Sequence, residues 1–224
     1  MSEEMVTKII SAAQEILSRH GPEGLTMEAT ADRARVARKT VYNYFANKYN
    51  LIRAVRLQWM QGVIAELTAI AESANLQIID KINHIVEKGF GYLKNAGRLL
   101  DRENLRQTQK HEALYQYTLE SHLEDKGSAD IENMVSKSLF MLIYNIVSEA
   151  IRAGFIIEDF NAERITWMLI NIIGGLLYLD FDENHFTKYD LLRDSLKAVI
   201  RGMLTQEGYA AMQESPLLTG RGIA

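Results

Sequence analysis

The chain has 224 residues, 47% of them apolar, with only 2 prolines and 14 glycines, which fits a soluble globular protein and leaves little turn material for an all-β fold. It contains no cysteine, which excludes disulfides, thiolate metal sites and thiol nucleophiles. The formal charge of −4 conceals an asymmetry, because residues 26–56 hold seven Lys/Arg against two Asp/Glu. A basic patch on an acidic chain points to a local polyanion contact; a chance cluster on a solvated face is the alternative.

The N-terminal MSEEMVTK is acidic and polar, unlike the basic-then-apolar start of a signal peptide, so a cytoplasmic protein is expected. In VTKIISAAQEILSRHG, Val6, Ile9, Ile10, Ala13, Ile16 and Leu17 recur at threes and fours, the stripe of an amphipathic helix. Gly21 and Pro22 stop it. Thr26 is placed to cap a short second helix reaching about Ala34, and a tight break at Arg35 to Ala37 precedes a third, Arg38 to Phe45. Asn47 caps a long fourth helix with its stripe at Ile52, Val55, Trp59, Val63, Leu67 and Ile70. Further helices are expected near 76–95, 102–125, 129–153, 159–180 and 187–206, with breaks at Asn95–Gly97, Lys126–Ser128, Gly154 and DFDENHFTK. The last stretch, EGYAAMQESPLLTGRGIA, has no sustained stripe and reads as a loose tail. The longest apolar run, WMLINIIGGLLYL (167–179), falls short of the roughly 20 residues of a spanning helix, so a buried helix and no membrane partner are expected.

The fold class is therefore all-α. The expected division is a helix-turn-helix domain over 1–50, a larger helical domain over 51–206 and a tail over 207–224. Two short helices joined by a three-residue break cross steeply and need a small residue at the crossing and apolar residues to pin the break. Ala31, Ala34, Val36, Val41 and Phe45 supply them. With Val41 and Phe45 inward, Arg38, Lys39, Thr40, Tyr42, Asn43 and Tyr44 point outward. A helix of this kind fits the major groove of DNA. Arg38 and Lys39 suit guanine or phosphate, Asn43 suits adenine, and Thr40 with the tyrosines suits phosphates. Thr26 at its helix N-terminus offers donors to another phosphate. Lys48 stands in the first turn of the fourth helix, where the macrodipole disfavours a cation by about 0.3–1 kcal/mol unless an anion binds there. A solvated lysine remains the alternative for Lys48, and packing against the first helix the alternative for Tyr42 and Tyr44.

GLTMEATADRARVARKTVYNYFANKYNL, residues 24–51, resembles the DNA-binding domain of TetR-family (tetracycline-repressor-like) transcriptional regulators, and the match extends over about 5–56. The resemblance implies a three-helix DNA-binding domain, a larger ligand-binding domain, a homodimer on a palindromic site, and release by a small-molecule effector. By position it assigns Thr26, Thr40, Tyr42, Tyr44 and Lys48 to phosphates and Arg38, Lys39 and Asn43 to bases. Three residues depart from the pattern. Arg35 stands where glycine is usual, at a cost of roughly 1–2 kcal/mol if left-handed, which leaves either a marginally stable domain or a slightly remodelled turn with Arg35 adding a phosphate contact. Thr30 stands where an aliphatic core residue is usual, and Ala37 replaces a serine cap worth about 1 kcal/mol.

EAIRAGFIIEDFNAERITWMLINIIGG also has the family's look, and Gly174 and Gly175 inside a helix point to close helix approach across a dimer interface built by 159–180 and 187–206. Asn145 and Asn171 interrupt apolar helices, and buried amides need partners: backbone, the other subunit or a ligand. Phe90, Tyr115, Phe140, Tyr144 and Trp167, with those two asparagines, are candidate pocket residues, plain core being the alternative. No Glu-x-x-His, HExxH, GxSxG or phosphate-binding loop is present, and DFDENHFTKYDL lacks the glycine and glutamate of a calcium loop. Neither catalysis nor a cofactor or metal is expected. The remaining alternative is a helical protein-interaction scaffold whose helix-turn-helix is inert.

Overall fold

A computed structural model describes residues 3–99, 126–178 and 186–220. Among these residues the structure is helical, with one isolated antiparallel bridge between Ile156 and Leu204. The helices are α1 (Glu3–Gly24), α2 (Met27–Ala34), α3 (Arg38–Tyr44), α4 (Lys48–Ala71), α5 (Ile78–Leu99), α6 (Lys126–Arg152), α7 (Ala162–Tyr178), α8 (Lys188–Met203), α9 (Gln206–Ala211) and α10 (Pro216–Thr219). The helix expected over 102–125 lies outside the described residues, as does Tyr115.

Contacts divide the chain into one unit of residues 1–62 and 95–136 and another of 63–94 and 137–224. The expected boundary after residue 50 falls inside α4. Leu51, Ala54 and Val55 are buried with Ile9, Ile10, Ala13, Leu25, Ala31, Val41 and Phe45, so the first half of α4 belongs to the core of the first unit. This follows from the smallness of three short helices, which need the fourth to close their core. Gly21 kinks α1 where the glycine stop was expected.

The second unit has two clusters. Ile78, Val147, Ala150, Ile156, Ile165 and Met203 form one; Phe90, Leu192, Leu196, Met212, Leu217 and Leu218 form the other. Lys81 is nearly buried and ion-paired to Glu149 at 2.9 Å, which satisfies its charge. Asn133–Arg152 has the length and apolarity of a membrane span, but Leu142, Val147 and Ala150 in it are core residues.

Three expectations need correction. α5 runs on to Leu99 through the break expected at Asn95–Gly97, and α6 begins at Lys126, so Lys126–Ser128 is helical rather than a break. The segment read as a loose tail is packed: Met212 and Leu217 are buried in the second cluster, and Ser215 donates to Asn83 Oδ1 at 2.6 Å. Its burial comes from short turns at irregular spacing, which leave no helical stripe to read.

Candidate nucleic-acid interface

The first unit builds the basic face in three steps. Thr26, in extended conformation, caps α2: its Oγ1 accepts from the Ala29 amide at 3.0 Å. Its carbonyl accepts from both the Thr30 amide at 3.0 Å and the Thr30 hydroxyl at 2.8 Å. Thr30 is fully buried, so this bond answers the polarity that made it a departure from an aliphatic core residue.

The turn after α2 is a Schellman motif. Val36 N–H donates to Ala31 O at 3.0 Å, and Arg35 N–H to Asp32 O at 3.1 Å. Arg35 carries the left-handed residue of the motif, at φ 52 and ψ 51, and no other non-glycine described residue has positive φ. The expected turn is thus kept with arginine in the glycine position, and the Arg35 side chain is exposed. Ala37 caps α3 with no side-chain bond, as its lack of a hydroxyl requires.

On α3, Val41 and Phe45 are fully buried, while Arg38, Lys39, Tyr42 and Asn43 are exposed. Thr40 is half-buried. Tyr44 differs from the outward placement expected: it is half-buried and packs on the core. Lys48 opens α4 and is half-buried; Asn47 Oδ1 accepts from the Asn50 amide at 2.9 Å, the expected cap. Thr26, Arg38 and Lys48 thus stand at the starts of α2, α3 and α4, Arg35 in the turn between the first two, and Lys39 and Asn43 exposed on α3. Thr26 and Lys48 stand at helix N-termini, where dipole and amides favour an anion.

Two acidic partners were not anticipated. Arg33 forks onto Glu15, Nε to Oε2 at 2.7 Å and Nη2 to Oε1, tying α2 to α1. That hydrogen bond holds the Glu15 carboxyl below the usual carboxylate range. Glu28, in the first turn of α2, is ion-paired to Arg38 Nη2, which also lies 3.5 Å from the Tyr42 hydroxyl. The Arg38 guanidinium stands 5.5 Å from the centre of the Tyr42 ring. Bonding to Tyr42 first, and then the Glu28 charge, holds Arg38 above the usual arginine range. An acid two residues after Thr26, on a face otherwise suited to phosphate, was the signal available in the sequence.

Residues 9–55 match the model of bacterial regulatory proteins of the tetR family. The regulator UidR of Escherichia coli (strain K12) is 24% identical over 204 residues, covering 89% of this chain and 92% of its own. A TetR transcription regulator from Haloarcula marismortui superposes with a TM-score of 0.58 at 17% identity, over 91% of this chain and 100% of its own. CprB from Streptomyces coelicolor, solved in complex with its biological operator sequence, gives 0.52 at 17% identity, over 97% and 98%.

The chain therefore carries, over residues 9–55, the N-terminal domain of the tetR family of bacterial regulatory proteins. It is thereby a DNA-binding transcriptional regulator and not an enzyme.

Of the described candidate pocket residues, Phe140, Tyr144, Trp167 and Asn171 come together and Phe90 lies elsewhere. Phe90 is buried in the cluster of Leu192 and Leu217. Phe140 stacks on Tyr144 at 5.9 Å and lies 5.1 Å from Trp167, which is 51% exposed. Asn145 and Asn171 are exposed in the single chain, so neither is the buried amide expected. Asn171 Nδ2 donates to Trp167 O at 2.7 Å. Arg164, Trp167, Met168, Asn171 and Ile172 line an open groove along α7. Farther along the same helix, Cβ atoms built on Gly174 and Gly175 would meet nothing within 4 Å. The apolar run expected as a buried helix thus has one face outward.

Proposed function

We propose that this regulator represses transcription as a homodimer on a palindromic operator and is released by a small-molecule effector. The observation that carries the DNA half is the division of α3: Val41 and Phe45 anchor it inward while Arg38, Lys39 and Asn43 lie exposed on it. Arg38, Lys39 and Asn43 read bases, and Thr26, Thr40, Tyr42, Arg35 and Lys48 hold phosphates, with Tyr44 supporting α3 from the core side. The DNA-binding domain covers about 1–50 together with the first half of α4.

The dimer half rests on α7. Trp167 and Met168 leave a large apolar surface outward, and Gly174 and Gly175 leave the backbone open for a close neighbour. A second copy covering α7 and α8 as a four-helix interface would bury that surface. The effector would lie beside the Phe140, Tyr144 and Trp167 rings, where Asn171 borders the same open groove. The relatives add a parallel, one of them being a gamma-butyrolactone receptor. The cytoplasm is the working compartment, where the DNA is.

Selection of bound duplexes from a random pool by the full chain tests this reading. A palindrome with half-sites about one helical turn apart is the expected outcome. Recovery of no sequence above the starting pool would overturn it. Light scattering at micromolar concentration is expected to give a dimer mass, and a monomer would remove the α7 interface.

A further inference from the structure

We propose that Glu28 sets the DNA specificity of this regulator by masking Arg38, a role that rests on the DNA-binding reading of α3. Glu28 lies on the first turn of α2, two residues from the Thr26 cap, with its side chain 46% exposed. A carboxylate there repels the phosphates that the rest of the face attracts. It is not needed to complete the core, because it is outside it. As an acid at a helix start it favours the α2 dipole, but that role makes no use of Arg38.

The pairing geometry gives the acid a second role. Both contacts of the Arg38 guanidinium, to Glu28 and to the Tyr42 hydroxyl, use Nη2. That nitrogen places one hydrogen on each two-donor edge of the guanidinium, so with Glu28 on one and Tyr42 on the other Arg38 presents no free fork. Lys39, the next residue, is exposed and has no such clamp among the described contacts. A lone phosphate offers Arg38 one charge in exchange for the one it leaves and brings its own repulsion against Glu28. A guanine offers O6 and N7 together, which repays release of the fork. The acid therefore discriminates against DNA that lacks guanine at the right place, which is specificity through an uncompensated charge on the wrong partner.

The experiment compares wild type, Glu28→Gln, Arg38→Ala and the double variant on two duplexes of equal length, the site recovered by selection and its scrambled sequence, across a salt series. Glu28→Gln is expected to tighten binding to the scrambled duplex by roughly three- to tenfold and to steepen its salt slope by about 0.9, the effect of one added phosphate contact. Affinity for the selected site rises less, so the ratio between the two falls. In the Arg38→Ala background the same change leaves the ratio unmoved. An unchanged ratio in Glu28→Gln, or a fall that persists without Arg38, overturns the mask while leaving DNA binding intact. Failure of the wild type to bind either duplex overturns the DNA-binding reading and the mask with it.

Discussion

Replacing Arg35 by glycine separates the two things this residue does. The Schellman turn after α2 places it at φ 52, where a side chain costs roughly 1–2 kcal/mol. Glycine removes that cost but loses about 0.4–1 kcal/mol to the greater freedom of the unfolded chain. The net is a stabilisation of about 0.5–1 kcal/mol. For a chain of this size each kcal/mol moves Tm by roughly 2–4 °C, so the variant should melt about 1–4 °C higher. DNA binding should move the other way: loss of one exposed cation from the phosphate-facing turn reduces the salt slope by about 0.9 and weakens all duplexes alike. Calorimetry or circular dichroism gives the first quantity and fluorescence anisotropy on labelled duplex the second. Arg35→Lys keeps the charge and should keep the slope; Arg35→Asn tolerates the left-handed backbone without the charge and should match glycine on DNA. A lower Tm for Arg35→Gly would refute the backbone argument. An unchanged salt slope would remove Arg35 from the interface.

Lys48→Ala should weaken every duplex and flatten the salt slope, whereas Asn43→Ala should lose about 1–3 kcal/mol of discrimination at one base and leave the slope unchanged; binding to single-base variants of the selected site checks both. Gly208→Ala should destabilise the second unit by about 1–3 kcal/mol, read by urea unfolding, because the added Cβ would fall 2.1 Å from the Phe155 carbonyl that accepts from the Thr205 amide. Thr187 and Asp190 form a capping box at the start of α8, and bonds from the Thr187 backbone and hydroxyl hold Asp190 below its ordinary 3.8. A carboxylate lowered on folding stabilises above its ordinary range and loses that contribution as pH falls through the folded value. Thr187→Ala should thus cost about 1 kcal/mol at neutral pH and progressively less in acid, followed by thermal melts across pH.

The same chain makes the post-helix turn twice. After α6 the bonds Phe155 N–H to Ala150 O and Gly154 N–H to Ile151 O repeat the Schellman pattern with glycine at φ 74. After α2 arginine takes that place. The first is legible as a glycine break, and the second is legible only through the Val36 and Ala31 packing that fixes the turn. The caps Thr26 and Asn47 were also legible, because each has one local partner, and so was the inward pair Val41 and Phe45, apolar one helical turn apart among polar neighbours. What was not legible depended on distant partners. Met212 and Leu217 find theirs on α8 and α5 without a periodic stripe. The apolar run of α7 has residues suited to burial around much of its circumference, so periodicity could not choose which face turns outward. Tyr44 has apolar ring and polar tip, and only the core beside it decides between them. Glu28 is an ordinary first-turn acid until α3 brings Arg38 against it.

The salt dependence of duplex binding by the unmodified full chain decides whether the basic face of α2, α3 and α4 grips phosphates. Arg35, Arg38, Lys39 and Lys48 are the cations of the face, so log affinity should fall linearly with log salt at a slope of roughly −2 to −4 per chain. A slope near zero between about 50 and 200 mM salt would show that this face does not grip phosphates.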